Sequence, residues 1–356
     1  MTIVGEDFVL RAFEERDVAA LHAYHNDSSS WRTYGFALLP QSLAETARRM
    51  EASRRNPNSA LWTIAGATGD LSAIGFSYLE QIDWLTRTGF VGQVIYDPAM
   101  RGRGLGTAVR RAVLTFAFDQ MDLRCLYSET IGDNVASHRM NAKVGACAIG
   151  TRRGAAYLDG RRHDTHVYAC RRNDALSKPT PAADVVPLVS GKTEALPMSP
   201  ASADALAEVW DGLRTDWWPY LACLRWMPSS ETGPAPPARL GHSDDLLFQV
   251  ASSGGRWVAG LVRIVAQARA ATALLLPPHD VPCAEVHACL VRLLNIAFLN
   301  RNLWRVELLV PASSRSLVSA AVAAGMHREI TFPARYHGTH GYEDVLLFAT
   351  ISTDIS

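Results

Sequence analysis

The chain has 356 residues, with 35 lysines and arginines balanced by 35 aspartates and glutamates, and 48% of its residues are apolar. That length suits two domains with buried cores, and zero formal net charge argues against a nucleic-acid partner held by bulk electrostatics. The six cysteines form no C-x-x-C pair and no His/Cys cluster has metal-ligand spacing, so reduced thiols and no metal are expected. The N-terminal residues lack the basic and apolar parts of a signal peptide. The longest apolar run, Trp257 to Leu276, is interrupted by Arg263 and Arg269, so no stretch reaches membrane-spanning length. A cytoplasmic protein without a membrane partner is the expectation.

In chain order, Phe8 to Phe13 alternates as a strand, and Glu15 to Asn26 and Ser42 to Arg55 read as helices. Leu61 to Ala67 and Ala73 to Gln81 are β-rich and separated by the turn signal Thr68-Gly69-Asp70. Phe90 to Tyr96 is a further strand. Thr107 to Phe118 carries Val109, Val113, Phe116 and Ala117 at helical spacing. Cys125 to Ile131 is a strand, Asp133-Asn134 begins a short helix by capping, and Gly145 ends it. Ile149 to Arg171 holds a hairpin turning at Leu158-Asp159-Gly160.

Between the strand and helix flanking residue 100 lies Asp97-Pro98-Ala99-Met100-Arg101-Gly102-Arg103-Gly104-Leu105-Gly106. Glycines at alternate positions let a ligand approach the backbone closely, and the helix start offers unpaired N–H groups and a positive dipole end. This is a phosphate cradle, with Arg101, Arg103, Arg110 and Arg111 adding charge around it. A Walker loop would need Gly-Lys-Ser/Thr where Leu105-Gly106-Thr107 stands. A dinucleotide fingerprint would read G-x-G-x-x-G and follow the first strand. The plain alternative is a turn that only caps a helix.

The order β-α-α-β-β-β-α-β-α-β-β, the pattern R/Q-x-x-G-x-G/A at Arg101 to Gly106 after Asp97-Pro98, and the pattern N-x-x-S-x-x-x-x-x-K-x-G at Asn134, Ser137, Lys143 and Gly145 come in sequence. With the ending Tyr157-Leu158-Asp159-Gly160-Arg161-Arg162-His163-Asp164, residues 1–172 resemble the GNAT superfamily of N-acetyltransferases, in the branch acting on ribosomal-protein N-termini, polyamines and some antibiotics. The resemblance implies an α+β (mixed α/β) fold of two tandem GNAT-like domains, each a mostly antiparallel sheet flanked by helices. It implies that acetyl-CoA, or another acyl-CoA, is bound by Ile95, Tyr96, Arg101, Gly102, Arg103, Gly104, Leu105, Gly106 and Thr107, with Asn134 and Ser137 near the pantetheine arm and thiol. A backbone N–H near Val94–Tyr96 would polarise the thioester carbonyl, where the strand splays from the strand Cys125 to Ile131.

The family's usual acid and base positions hold Phe90, Ala156 and Asn141 here. Glu129 and Glu80 are the remaining carboxylate candidates for a base, with an ordinary surface or ion-paired Glu as the alternative for both. Ser137 is a candidate for stabilising the thiolate, Asn134 sits beside it, and a water relay is the alternative to any single base. His138, His163 and His166 are further candidates, with structural roles favoured for the pair His163-Asp164, since adjacent residues on a strand point to opposite faces.

Residues 173–184 read as a linker. Shifting the first domain by 180 positions sets Asp97-Pro98 on Pro277-Pro278, Asn134 on Ser314 and Gly145 on Gly325, so residues 185–356 resemble a second copy. There Arg101 to Gly106 falls on Val281-Pro282-Cys283-Ala284-Glu285-Val286, which has no glycine and no phosphate loop. Its aromatic set Trp210, Trp217, Trp218, Tyr220 and Trp226 reads as core and domain contact, or as an acceptor surface. Two functions stay open: an acyltransferase moving an acetyl or longer acyl group to an amine of a small molecule or peptide, and an acyl-CoA-binding protein with little turnover. An acyl carrier protein as donor and a homodimer also stay open.

Overall fold

The computed structural model describes residues 2–28, 40–67, 71–172, 198–200, 246–253, 255–265, 268–338 and 341–355. The expected turn at 68–70, the linker 173–184 and the tryptophan-rich segment 210–226 lie outside the described residues. The chain divides into two compact units, Met1–Ser177 and Lys178–Ser356.

The first unit runs β1 (Ile3–Val4), β2 (Phe8–Ala12), α1 (Val18–Asn26), α2 (Leu43–Arg55), β3 (Ala60–Gly66), β4 (Ala73–Asp83), β5 (Thr88–Ile95), α3 (Leu105–Asp119), β6 (Cys125–Ile131), α4 (Val135–Lys143), β7 (Cys147–Leu158) and β8 (Arg161–Arg171). Strands β1 to β5 pair in sequence order, all antiparallel. Strand β6 joins β5 in parallel, and β8, then β7, follow antiparallel. Short-range chemistry fixes the ends. Ser42 Oγ accepts from the Glu45 amide while the Glu45 carboxylate takes the Ser42 amide, a capping box that starts α2. Asp159 and Gly160, at φ 52° and 74°, make the two-residue turn between β7 and β8. Helix α3 lies on one sheet face, burying Val109, Val113 and Ala117 against Leu10, Ile64, Leu79 and Leu126. On the opposite face Val18 and Leu21 of α1 pack with Phe76, Val94 and Tyr96.

The entry to α1 differs from the sequence reading. Glu15–Asp17 is a 3-10 turn, and the α-helix begins only at Val18. Asp17 is buried, takes both terminal nitrogens of Arg11 at 2.7 Å, and accepts from the Glu14 amide and Thr63 Oγ1. Those bonds hold residue 17 in place against the sheet.

The second unit contains β9 (Met198–Pro200), β10 (Leu246–Ser252), β11 (Gly255–Val265), β12 (Ala270–Leu276), α5 (Cys283–Asn295), β13 (Arg305–Pro311), α6 (Arg315–Ala323), β14 (His327–Gly338) and β15 (Gly341–Ile351). From β10 onward its pairing repeats β3 to β8 of the first: three antiparallel strands, a parallel β12–β13 step, then β15 and β14 antiparallel. Ser314 stands at the start of α6 as Asn134 does at α4, and Gly325 (φ 75°) ends α6 as Gly145 (φ 78°) ends α4.

One helical stretch, Cys283–Asn300, has 18 residues and a mean hydropathy of 1.3, which is long and apolar enough to cross a membrane, against the expectation that none would be. Its apolar side is occupied within the unit, where Val286, Cys289, Leu290, Leu293, Leu294 and Ala297 join the core with Val258, Leu275 and Leu308.

Candidate active site

Strands β5 and β6 pair only at Thr88 with Cys125, Gly89 with Leu126 and Phe90 with Tyr127. Beyond that point they part, and a cleft of about 520 Å³ opens between them. Its walls are Val91 to Ile95 of β5, Ser128 to Ile131 of β6, the glycine loop with the first turns of α3, and Asn134, Ser137 and Asn141 of α4.

The loop earns its glycines at two positions. Gly102 (φ 76°) and Gly104 (φ 86°) are left-handed, and a Cβ on either would meet nothing within 4 Å, so the space beside them is open. Gly104 is the N-cap of α3, and the amides of Leu105 and Gly106, in the first turn, have no helical acceptor. Here is a concave donor surface at a positive helix end. The Arg101 side chain turns back instead: Nε donates to the Ile95 carbonyl at 2.8 Å and Nη2 to the Tyr96 carbonyl at 3.1 Å, bracing the loop against the end of β5.

Backbone alternation decides which amides face the gap. The Tyr96 amide donates to the Ile74 carbonyl at 3.1 Å, toward β4. Antiparallel bonds alternate, so the Val94 amide also points to β4, while those of Gln93 and Ile95 point toward β6. The Tyr96 hydroxyl bonds to the Ala73 carbonyl, and burial pushes its pKa up. Tyr96, Arg103 and Leu105 are not among the lining residues, and Leu105 belongs to the core. Ile95, Arg101, Gly102, Gly104, Gly106, Thr107, Glu129, Asn134 and Ser137 all line the cleft.

Asn134 Oδ1 accepts from the Ser137 amide at 3.1 Å, capping α4. Asn141 is buried and bridges β6, accepting from Ser128 Oγ at 3.1 Å and donating to Thr130 Oγ1 at 3.3 Å. Both Glu129 oxygens accept from Arg152 Nη1, at 2.7 and 2.8 Å, and Thr165 Oγ1 also donates to Glu129. Glu80 and the histidines are absent from the lining: His138 bonds Tyr168 and the Gly132 carbonyl, His166 bonds Thr151, and His163 reaches the Leu158 carbonyl.

Sequence reasoning missed the part played by Gln93 and Arg110. Arg110 is buried and lines the cleft; Nε donates to Gln93 Oε1 at 3.0 Å, and Gln93 Nε2 donates to the Gly106 carbonyl at 2.6 Å. Burial lowers the Arg110 pKa to about 10, which leaves it charged at neutral pH. The signal was present: Gly106, Arg110, Val113 and Ala117 share one helical stripe, and only Arg110 in it is polar.

The site is thus a sheet opened between two parallel strands, with a left-handed glycine turn leading into a helix at its mouth. Residues 7–146 match the acetyltransferase (GNAT) domain family, and the chain carries a GNAT-type N-acyltransferase domain there. YdaF of Bacillus subtilis (strain 168), provisionally named a ribosomal N-acetyltransferase, is 27% identical over 176 residues, covering 48% of this chain and 94% of its own. Among solved structures, spermidine N-acetyltransferase from Vibrio cholerae in complex with CoA and spermine is 17% identical, covering 49% of this chain and all of its own, with a TM-score of 0.44. RimL, a ribosomal L7/L12 alpha-N-protein acetyltransferase in complex with CoA, is 22% identical over 49% of this chain and 99% of its own, also at 0.44.

Proposed function

We propose that the first unit moves an acyl group from a CoA thioester to a primary amine of a small molecule or peptide. The observation that carries this is the junction of the glycine loop with the opened β5–β6 gap in a single cleft. The pyrophosphate sits on the loop and the first-turn amides of α3, and the pantetheine follows the free edge of β5. The amides of Gln93 and Ile95 are the donors available to it and to the thioester carbonyl. A neutral amine attacks that carbonyl from the α1 side of the sheet. The N–C bond forms, the C–S bond breaks, and the electron pair leaves on sulfur.

The proton released by nitrogen goes to water, because Glu129 is already held by Arg152 and Thr165. Ser137 supports the departing thiolate, and Asn134 and Asn141 keep α4 and β6 in place around it. The second unit is a copy of the same fold without a donor site, since Pro282 stands at the start of α5 where the first unit has left-handed Gly104. A reduced cytoplasmic setting fits the free thiols of the described cysteines.

The test is release of free thiol from acetyl-CoA in the presence of a panel of amines, beside calorimetric titration with CoA. Binding with acceptor-dependent thiol release is expected, and Gly104→Glu should abolish both by placing bulk and negative charge at the pyrophosphate. Binding without turnover on any amine or donor would leave the binding-protein reading; unchanged binding by Gly104→Glu would remove the loop from the site.

A further inference from the structure

Two other buried arginines of this chain carry carboxylates. Arg11 is gripped by both oxygens of Asp17 at 2.7 Å, and Arg305 lies between Glu307 at 2.7 Å and Glu329 at 2.5 Å. Arg110 is as deeply buried, at 4% exposure, yet its hydrogen-bond partner is the neutral amide oxygen of Gln93, and the other groups that favour its charge, Tyr78 and Cys170, are not carboxylates. No acidic side chain among the described residues pairs with it. A charge removed from water without a counter-charge is costly, and it becomes favourable again when an anion arrives.

Gln93 fixes where that anion must come from. By holding both the Gly106 carbonyl and Arg110 Nε, it keeps the guanidinium on the face of the sheet that carries α3 and the phosphate loop. Side chains alternate along β5, so Val94 and its neighbours against α1 lie on the other face. Arg110 lines the cleft together with the glycine loop and the end of β5, where the donor is proposed to lie. A guanidinium offers two parallel N–H bonds in the geometry a carboxylate accepts, which no acetyl group can use.

We propose that Arg110 receives a carboxylate at the far end of the donor's acyl group, so that the preferred donor is the CoA thioester of a short dicarboxylic acid. This rests on the acyl-CoA reading of the cleft. The transfer is chemically the same as before: the N–C bond forms, the C–S bond breaks, and the terminal carboxylate passes unchanged into the product. A cationic amine thus becomes an amide bearing a negative charge.

The experiment compares malonyl-, succinyl- and glutaryl-CoA with acetyl-CoA and free CoA on the full-length protein, by calorimetry and by thiol release. At least one dicarboxylic donor should bind about tenfold or more tighter than acetyl-CoA, as expected for a charge-assisted bidentate pair. Arg110→Met should erase that difference and Arg110→Lys should keep part of it. Equal binding of all donors by the wild-type protein, a comparison needing no variant, overturns the proposal. So does an Arg110→Met variant that slows every donor alike without changing their relative affinities, which would assign the guanidinium to the leaving thiolate. Failure of free CoA to bind at all would instead overturn the acyl-CoA reading beneath it.

Discussion

Glu129 shows how a carboxylate can line a cleft and still be a poor base. Its oxygens already accept from Arg152 and Thr165, so both are engaged away from an incoming amine. Glu129→Gln should therefore slow turnover by no more than about a hundredfold, the low end of what a general base supplies. The rate should still rise with pH as the acceptor amine loses its proton. Complete loss of activity with donor binding intact would make Glu129 an essential base. Asp17 behaves differently. Burial alone pushes its carboxyl up, but the bonds from Arg11, the Glu14 amide and Thr63 hold it below the ordinary carboxylate range. The unfolded chain then binds the proton more readily than the folded one. The stabilisation is complete above about pH 4 and is lost as the pH falls through the lowered value. Asp17→Asn, which leaves Arg11 buried without its counter-charge, should cost about 3–5 kcal/mol at neutral pH. Urea midpoints measured from pH 7 down to pH 2 should fall less steeply in the variant than in the wild type; parallel curves would refute this assignment.

At the scale of elements, the sequence was most legible where short-range chemistry decides. Strand β6 occupies Cys125 to Ile131 as expected, Ser42 and Glu45 start α2, and Asp159-Gly160 turns the β7–β8 hairpin. The glycine loop was readable because left-handed positions demand glycine. What could not be read depends on contacts distant in sequence. Asp17 is claimed by Arg11 and Thr63, so the first helix starts late. The Tyr96 amide is taken by Ile74, so the gap is served by the alternate amides. Asn141, legible only as a missing acid, is a bridge between Ser128 and Thr130. Asn134 was legible as a cap, and the cap has a measurable value: Asn134→Ala should cost about 1 kcal/mol of stability and raise KM for the donor more than it lowers kcat. An equal fall in kcat with KM unchanged would give Asn134 a part in the transition state instead.

Across the whole molecule, the same strand pairing meets two different fillings. In the first unit the end of β5 is half-exposed beside an open cleft, whereas Leu274, Leu275 and Leu276 at the end of β12 are fully buried, together with Val310 of β13. The residues bordering the second parting of strands are buried, and Glu285 near the start of α5 is bonded to Ser253. Titration of the full chain should therefore give one CoA site, and Glu285→Gly should not create another. Two sites per chain would mean that the second gap opens in solution.

The three-pair seam between β5 and β6 also bears on motion. A sheet is stiff where its ladder is continuous, and here the ladder ends at Phe90 and Tyr127. Past that point β4 is the one strand paired with the outer part of β5, and the amides of Gln93 and Ile95 have no strand to hold them. On the proposed function, a bound pantetheine would supply, with its own amides, the rung that the chain omits. The donor is then a temporary strand, and loading it should slow hydrogen exchange at Gln93 and Ile95 while leaving Val94 and Tyr96, already bonded toward β4, almost unchanged. Read residue by residue, that alternating protection would record the thioester being woven into the sheet.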